Sequence, residues 1–235
     1  MTTSKAGKTT VRRKAITEAK TFLNWPQPVK ENADGVVAIG GDLAPEILAA
    51  AYGSGIFPWP TPTYPLLWFS PDPRAILHFD QMHIPRSLAK VRRTTEFTFT
   101  VDQAFKQVIT QCSKSKRPGQ AGTWITPAMV KAYIQFHKEG FAHSVECWDK
   151  KKLVGGIYGV GVKGVFAGES MFYKKPYASK LALLYLIEHL RSRGARWMDI
   201  QSPTPHMIAL GSTTVPRLDF LKMLGEEQSR GLQLF

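Results

Sequence analysis

An α+β fold, with a helix laid across one face of a sheet, is the architecture this sequence predicts, and three observations predict it. Residues 143–173 read as three successive strands separated by two short turns. Residues 178–193 then place Leu183, Leu186, Ile187 and Leu190 on one helical stripe. Residues 197–201 return to a short buried strand. Strands, then a helix, then a strand bring the helix back over the sheet.

Taken in order, the 235 residues divide into a tail and two regions. Residues 1–21 form a basic tail, read as disordered in preference to a transit peptide, and they lack the apolar block of a secretory signal. Residues 22–85 are a small N-terminal domain rich in Pro, Gly and aromatics, in which Pro45–Tyr52 forms a short helix with Asp42 as a capping candidate. Residues 86–235 form the larger domain. There, Glu96–Val101 alternates as a strand, Asp102–Gln111 reads as a helix, and Thr126–Glu139 as another, with Thr126 as cap and Pro127 in the first turn. Ser113–Gly122 is a polar, basic loop. The strands His143–Trp148, Lys152–Val162 and Gly164–Tyr173 turn at Asp149-Lys150 and Lys163-Gly164. Helix Ala178–Arg193 ends at Gly194, strand Trp197–Gln201 follows, and a closing helix Pro216–Leu224 stops at Gly225.

Composition narrows the function classes. A hydrophobic fraction of 43% suits a packed core, and no apolar run approaches the roughly 20 residues of a membrane-spanning helix. Cys112 and Cys147 lie far apart, with no CxxC pair and no HxxxH spacing, so no zinc ligand set is present. Two buried thiols in a reducing compartment read as a cytosolic, metal-free chain. The string Gly159-Val160-Gly161-Val162-Lys163-Gly164 spells GxGxxG, but strand rather than helix follows it, so no dinucleotide site is expected.

Charge is the loudest compositional signal. Thirty-one Lys+Arg against 18 Asp+Glu give +13, and the excess is segregated. Residues 86–117 carry eight basic side chains against Glu96 and Asp102, whereas residues 21–85 carry two basic against six acidic. Such segregation suits a polyanion such as nucleic acid, although a solubilising basic face would look the same.

Two further features bear on chemistry. The aromatic and proline-rich runs Ile56–Trp59 and Leu66–Arg74, and Trp124 with Tyr133, read either as platforms for a nucleobase or as a wedge between domains. Glu169 and Asp199 are acids in otherwise apolar strands, and alternation puts Asp199 and Gln201 on the face opposite Met198 and Ile200. Such acids either line a polar cleft that holds a substrate amine or pair with Arg196 or Lys180.

Several long motifs in order then resemble one family. GGDLAPEILAAAYGSGIFPW (Gly40–Trp59), LLWFSPDPRAIL (Leu66–Leu77), GTWITPAMVKAY (Gly122–Tyr133), HSVECW, LVGGIYGV, GESMF, ASKLALLYL and MDIQ are similar to the leucyl/phenylalanyl-tRNA–protein transferases over about Gly35 to Met223. The resemblance implies a small N-terminal domain and a C-terminal domain like the acetyltransferase superfamily. It implies transfer of Leu, Phe and less readily Met from aminoacyl-tRNA to proteins beginning with Arg or Lys, which marks them for an ATP-dependent protease. By matching position, Asp199 and Gln201 look like the catalytic pair. Glu169, Ser170 and Met171 resemble the lining of the aminoacyl site, and Met171, Leu183 and Leu186 its side-chain pocket. Trp59, Trp124 and Tyr133 look like the aromatics at the terminal adenosine or aminoacyl group, and Arg86, Lys90 and Arg93 like the contacts to the acceptor stem. The prolines and terminal serine of Ser202–Ser212, Tyr177 before the helix and Leu186 in place of an aromatic depart from the family pattern and bear on the choice between Leu and Phe.

The implied chemistry needs no metal or coenzyme. An aminoacyl ester is already activated, and an α-amine of pKa about 7.7–8.0 is partly neutral near neutrality. Positioning and oxyanion stabilisation supply the acceleration, with Gln201 either donating to the oxyanion or accepting from the amine, and Asp199 orienting it and holding the incoming ammonium. A coenzyme-A-dependent acetyltransferase would want a glycine-rich loop at a helix start, which Pro176–Lys180 lacks. A non-enzymatic RNA-binding module gives no reason for acids on apolar strands.

Overall fold

The computed structural model describes residues 35–60, 65–115 and 123–235. The basic tail, Lys116, Arg117 and Gly122 lie outside them. A three-stranded antiparallel sheet, in the order β1 (Val36–Ile39), β3 (Leu67–Phe69) and β2 (Phe57–Trp59), carries helix α1 (Pro45–Gly53). Its central Trp68 is 1% exposed and donates its indole N–H to the Gly40 carbonyl at 2.9 Å.

The larger sheet has seven strands in the order β10-β4-β9-β8-β7-β6-β5. These are β4 (Arg74–His78), β5 (Thr98–Val101), β6 (Ala142–Asp149), β7 (Lys152–Val162), β8 (Val165–Tyr173), β9 (Trp197–Gln201) and β10 (Thr213–Val215). Helices α2 (Arg86–Thr94), α3 (Phe105–Lys114), α4 (Pro127–Lys138), α5 (Ala178–Ser192), α6 (Pro205–Ala209) and α7 (Arg217–Ser229) complete the described chain. Every strand pair is antiparallel except β8 with β9, which α5 connects as the crossover that parallel strands require. The α+β expectation therefore holds, and none of the described helices is long and apolar enough to cross a membrane.

Two cores sandwich the sheet. Leu181, Leu184, Ile187 and Leu190 of α5 pack on Val145, Ile157 and Met198, and Leu88 of α2 joins them. On the other face, α1, α3 and α4 supply Leu48, Val108, Ile109, Met129 and Phe136 against Tyr158, Val160 and Phe172. Gly155 makes the first contact possible, because a Cβ there would lie 2.6 Å from that of Ala178 at the start of α5. Gly159, one of the GxGxxG glycines, similarly approaches the Ala167 carbonyl, where a Cβ would sit at 2.3 Å. Strand packing explains the motif.

Several boundaries differ from the sequence reading, each for a visible reason. Asp42 accepts from the Ala44 N–H at 2.8 Å, so it shapes the turn before α1, whose N-cap is Ala44. Helix α3 starts at Phe105 because Asp102, at φ 59°, is turned to receive the Ser144 N–H at 2.8 Å and the His143 ring at 2.7 Å. Helix α7 runs past Gly225, which faces open space, because buried Glu227 anchors the next turn to Arg196 at 2.7 Å and also to Arg230. An exposed glycine costs a helix only about 1 kcal/mol against alanine, and the ion pairs offset it. Strand β4, placed by composition in the N-terminal domain ending at 85, instead pairs with β9 and β10 in the large sheet. The small sheet gives way to the large one between Phe69 and Arg74.

Candidate active site

Parallel β8 and β9 register through the single pair Ala167 and Asp199, and the space beyond it forms a cavity of about 510 Å³. Gly168, Glu169, Ser170 and Met171 of β8 form one wall, and Met198, Ile200 and Gln201 of β9 the other. Ile157, Leu183 and the segment Thr204–Met207 close it. The lining is mostly apolar, with a few convergent polar groups, as in small-molecule sites.

Asp199 does not face this cavity. Arg74 of β4 grips it with both ends of the guanidinium, Nε to Oδ1 at 2.8 Å and Nη2 to Oδ2 at 2.6 Å. The pair is buried, 1% and 5% exposed at the side chains, and the guanidinium lies between the rings of Phe57 at 4.9 Å and Phe220 at 4.6 Å. Asp199 Oδ1 also accepts the Gln201 N–H at 2.9 Å. Both oxygens are engaged, so Asp199 is not placed to hold an incoming ammonium. Its cation is Arg74, not Arg196 or Lys180, and Arg196 pairs with Glu227.

That backbone bond has a structural consequence. Gln201 sits at φ 57°, a left-handed conformation unfavourable for a side chain bearing a Cβ, and β9 carries one extra residue, Ile200, against Ala75 and Ile76 of β4. The bulge breaks the alternation expected from sequence. Gln201 lines the cavity together with Met198 and Ile200, while Asp199 points to the opposite side. Asp199 thus orients Gln201 through the main chain, holding a strained conformation in place.

Glu169 terminates the polar end. Tyr52 of α1 donates its hydroxyl to Oε1 at 2.7 Å, and the Gln201 side-chain amide donates to the same oxygen at 3.0 Å. The Tyr133 hydroxyl of α4 meets that of Tyr52 at 2.5 Å. Desolvation pushes the Glu169 carboxyl up to about 7, against the opposing hydrogen bond from Tyr52, with nearby Asp199 adding to the rise and Arg74 reducing it. The two tyrosines are raised well above 10, chiefly by burial and then by the adjacent Glu169 carboxylate. His206 also lines the cavity, and burial first and then Lys180 push its imidazole down to about 4. Its Nε2 is buried without a hydrogen-bond partner among the described residues.

The remaining predicted residues divide clearly. Ser170, Met171 and Leu183 line the cavity. Leu186, one turn along α5 from Leu183, is 1% exposed inside the core and is not a cavity wall. Tyr133 is fully buried, edge-on to Phe136 and Tyr158, so it backs Tyr52 and offers no face to a nucleoside. Trp59 and Trp124 stack on each other, centroids 5.2 Å apart at 17°, outside the cavity lining, and Trp59 is 38% exposed. Arg86, Lys90 and Arg93 are exposed along α2 at spacings of four and three, which puts them on one face. Arg92 instead pairs with Glu188 of α5.

Sequence reasoning missed Arg74, Tyr52 and His206. Arg74 had a signal: a cation in the apolar strand Arg74–His78 mirrors the acid in Trp197–Gln201, and the two strands pair. Tyr52 falls four residues after Leu48 on the buried face of α1.

An apolar slot that ends in a hydrogen-bonded Glu–Gln pair is the kind of site an enzyme builds for a small apolar group with a polar, reactive end. The sequence comparisons make it particular. The family model described as Leucyl/phenylalanyl-tRNA protein transferase matches residues 76–225, and that of its N-terminal domain matches residues 41–72. The chain is 49% identical to the leucyl/phenylalanyl-tRNA–protein transferase of Maridesulfovibrio salexigens, over 86% of this chain and 85% of that one. It is 48% identical to that of Anaeromyxobacter dehalogenans, over 85% and 86%. The chain belongs to the leucyl/phenylalanyl-tRNA–protein transferase family, and its activity is the transfer of an amino acid from tRNA to protein. The two models meet between residues 72 and 76, where the small sheet gives way to β4. Among solved structures the chain is similar to L-PGS from Bacillus licheniformis (18% identity, TM-score 0.41, covering 68% of this chain and 50% of that one) and to a functionally unknown conserved protein from Staphylococcus epidermidis (8%, 0.39, 61% and 57%). At those scores they carry no argument.

Proposed function

We propose that this enzyme takes leucine or phenylalanine, and less readily methionine, from its tRNA and joins it to the N-terminus of proteins that begin with Arg or Lys, in the cytoplasm. The supporting observation is the cavity. Met171, Leu183, Ile157, Met198 and Ile200 offer an apolar slot that penalises any charged side chain, while Glu169 and Gln201 stand at its polar end. The amino-acid side chain enters the slot and the ester carbonyl lies beside Gln201. With one amide N–H on Glu169, the second N–H of Gln201 remains for the oxyanion. The stacked pair of Trp59 and Trp124 is the platform for the terminal adenosine, and Arg86, Lys90 and Arg93 receive phosphates of the acceptor stem. Neither role involves the cavity lining, and both suit exposed groups.

One assay tests the reading. Labelled leucyl-tRNA, labelled lysyl-tRNA and labelled acetyl-coenzyme A are each offered with peptides beginning with Arg or Ala. Label from leucyl-tRNA alone, on the Arg peptide alone, is the expected result. Equal labelling of both peptides would remove the acceptor assignment, and labelling from lysyl-tRNA would remove the apolar-slot assignment.

A further inference from the structure

We infer that the Glu169 carboxylate is the proton acceptor of the transfer reaction, taking the proton of the attacking α-amine and returning it to the departing ribose oxygen. This rests on the aminoacyl-transfer reading of the same cavity.

The geometry narrows the choice. Four side chains that carry or orient protons lie in or beside the cavity, and each has a different constraint. Gln201 is an amide with no useful basicity, and its donation to Glu169 Oε1 at 3.0 Å fixes its polarity. Asp199 spends both oxygens on Arg74 and the Gln201 N–H and faces away from the cavity. His206 lines the far wall on α6, where burial and Lys180 hold it neutral and weakly basic, near 4. Glu169 alone combines a place in the cavity wall, contact with Gln201 and a basicity near neutrality. Its other neighbours support this. Tyr52 from α1, backed by Tyr133 from α4, donates to Oε1 and pins the carboxyl group, which leaves Oε2 as the oxygen for proton exchange. Arg74 on β4 and Asp199 on β9 act on it with opposite signs as a neutralised pair.

The step balances with the reactants alone. The neutral α-amine nitrogen attacks the ester carbonyl carbon, the N–C bond forms, and the carbonyl electrons move to the oxygen beside Gln201. Glu169 removes a proton from the now-cationic nitrogen. The C–O bond to the ribose breaks as the carbonyl re-forms, and the leaving ribose oxygen takes the proton from Glu169. The carboxylate is regenerated, the product is an amide, and no oxidant, metal or coenzyme enters. Tyr52 is by the same geometry a positioning residue, since it touches Glu169 and not the cavity.

The test is single-turnover transfer from leucyl-tRNA to an Arg-initiated peptide between about pH 5 and 9, where both Glu169 and the peptide amine titrate. Wild type should show a log rate rising with slope near two below about pH 6.5, because base and amine must both lose a proton. Glu169→Gln should fall about 100-fold or more and keep slope one, from the amine alone. Glu169→Asp should retain the two-proton slope at a reduced rate. Binding of leucyl-tRNA, read by filter retention, should stay within about threefold in all three. A Glu169→Gln enzyme within about fivefold of wild type, or one that keeps slope two, overturns the proposal. So does a loss of rate matched by an equal loss of leucyl-tRNA binding in both variants. Wild-type enzyme that moves no leucine at any pH would instead defeat the reading of the cavity itself.

Discussion

Two acids in apolar strands, Glu169 on β8 and Asp199 on β9, meet different fates a few ångströms of sheet apart. Asp199 is matched by a full guanidinium, and its two oxygens are consumed by Arg74 and a backbone N–H. Among the described residues Glu169 has neutral donors, Tyr52 and Gln201, so desolvation wins and its carboxyl is held near 7. The difference teaches what each acid is for. A buried carboxylate gripped by its own cation has its charge compensated in place, whereas one that accepts from neutral groups is pushed by desolvation toward its protonated form.

The comparison is broken most severely by removing the cation. Arg74→Met leaves Asp199 buried and unpaired, and breaking one partner of such a pair costs about 3–5 kcal/mol. Denaturant unfolding should show a loss of that order, and activity should fall further than the unfolded fraction explains, because Asp199 also holds Gln201 at φ 57°. Glu169→Gln should behave in the opposite sense. A carboxyl raised from 4.5 to about 7 on folding favours the native state least above pH 7. Its contribution is fully present below the unfolded value and is lost as pH rises through 7. Wild type should therefore lose stability relative to Glu169→Gln as pH rises from about 4 to 8, a difference that thermal melts at paired pH values will show. A pH-independent difference would place Glu169 in water rather than in the cavity wall.

Gln201→Glu sharpens the contrast from the other strand. It removes the oxyanion donor and sets a second carboxylate against Glu169 where an amide now donates at 3.0 Å. Loss of one oxyanion donor typically costs about 100- to 1,000-fold, and two coupled carboxylates push one pKa higher still. Single-turnover transfer should fall at least about 100-fold with aminoacyl-tRNA affinity little changed, and the residual activity should shift to higher pH. A fully active variant would show that Gln201 only accepts from the amine.

The side-chain slot carries a smaller effect. Leu183 and Leu186 both belong to the core, but Leu183 alone of the two lines the cavity. Leu183→Phe should depress transfer of Phe more than of Leu, by about 1–3 kcal/mol of discrimination. The same change at Leu186 should destabilise by overpacking, about 1–3 kcal/mol, without altering the Leu:Phe ratio. Competition between the two charged tRNAs measures the first, and denaturation the second.

How far the sequence disclosed these two acids follows from the range of the forces involved. The β6–β7–β8 meander and α5 were legible to within a residue or two, because alternation, turns and an amphipathic stripe are local signals. The motifs marked Glu169, Asp199 and Gln201, but strict alternation set Asp199 and Gln201 on one face. The bulge at Ile200 is created by pairing with β4, more than a hundred residues away, and no local pattern announces it. Tyr52 lies 117 residues from Glu169 and Arg74 125 from Asp199, and each was missed because its partner is known only after folding. Gly225 failed in the other direction, as a local stop signal overridden by the tertiary ion pairs of Glu227.

A third charge environment completes the comparison, and its individual effects are the smallest. Arg86, Lys90 and Arg93 stand in solvent on one face of α2, neither pinned like Asp199 nor desolvated like Glu169. Exposed charges are screened beyond a Debye length of about 8 Å at physiological salt, so each contributes through direct phosphate contact and counterion release. Neutralising one phosphate changes the slope of log affinity against log salt by about 0.9 in duplex regions. Arg86→Ala with Lys90→Ala should therefore flatten that slope by about two, weaken leucyl- and phenylalanyl-tRNA alike, and leave the single-turnover rate at saturating tRNA unchanged. Arg92→Ala is the internal control. Its guanidinium is committed to Glu188 on α5, so the salt slope should change less than for either exposed neighbour. Titrations of each variant at several salt concentrations decide the matter: an unchanged slope in the double variant, or selective loss of one tRNA, would move the acceptor stem off this helix.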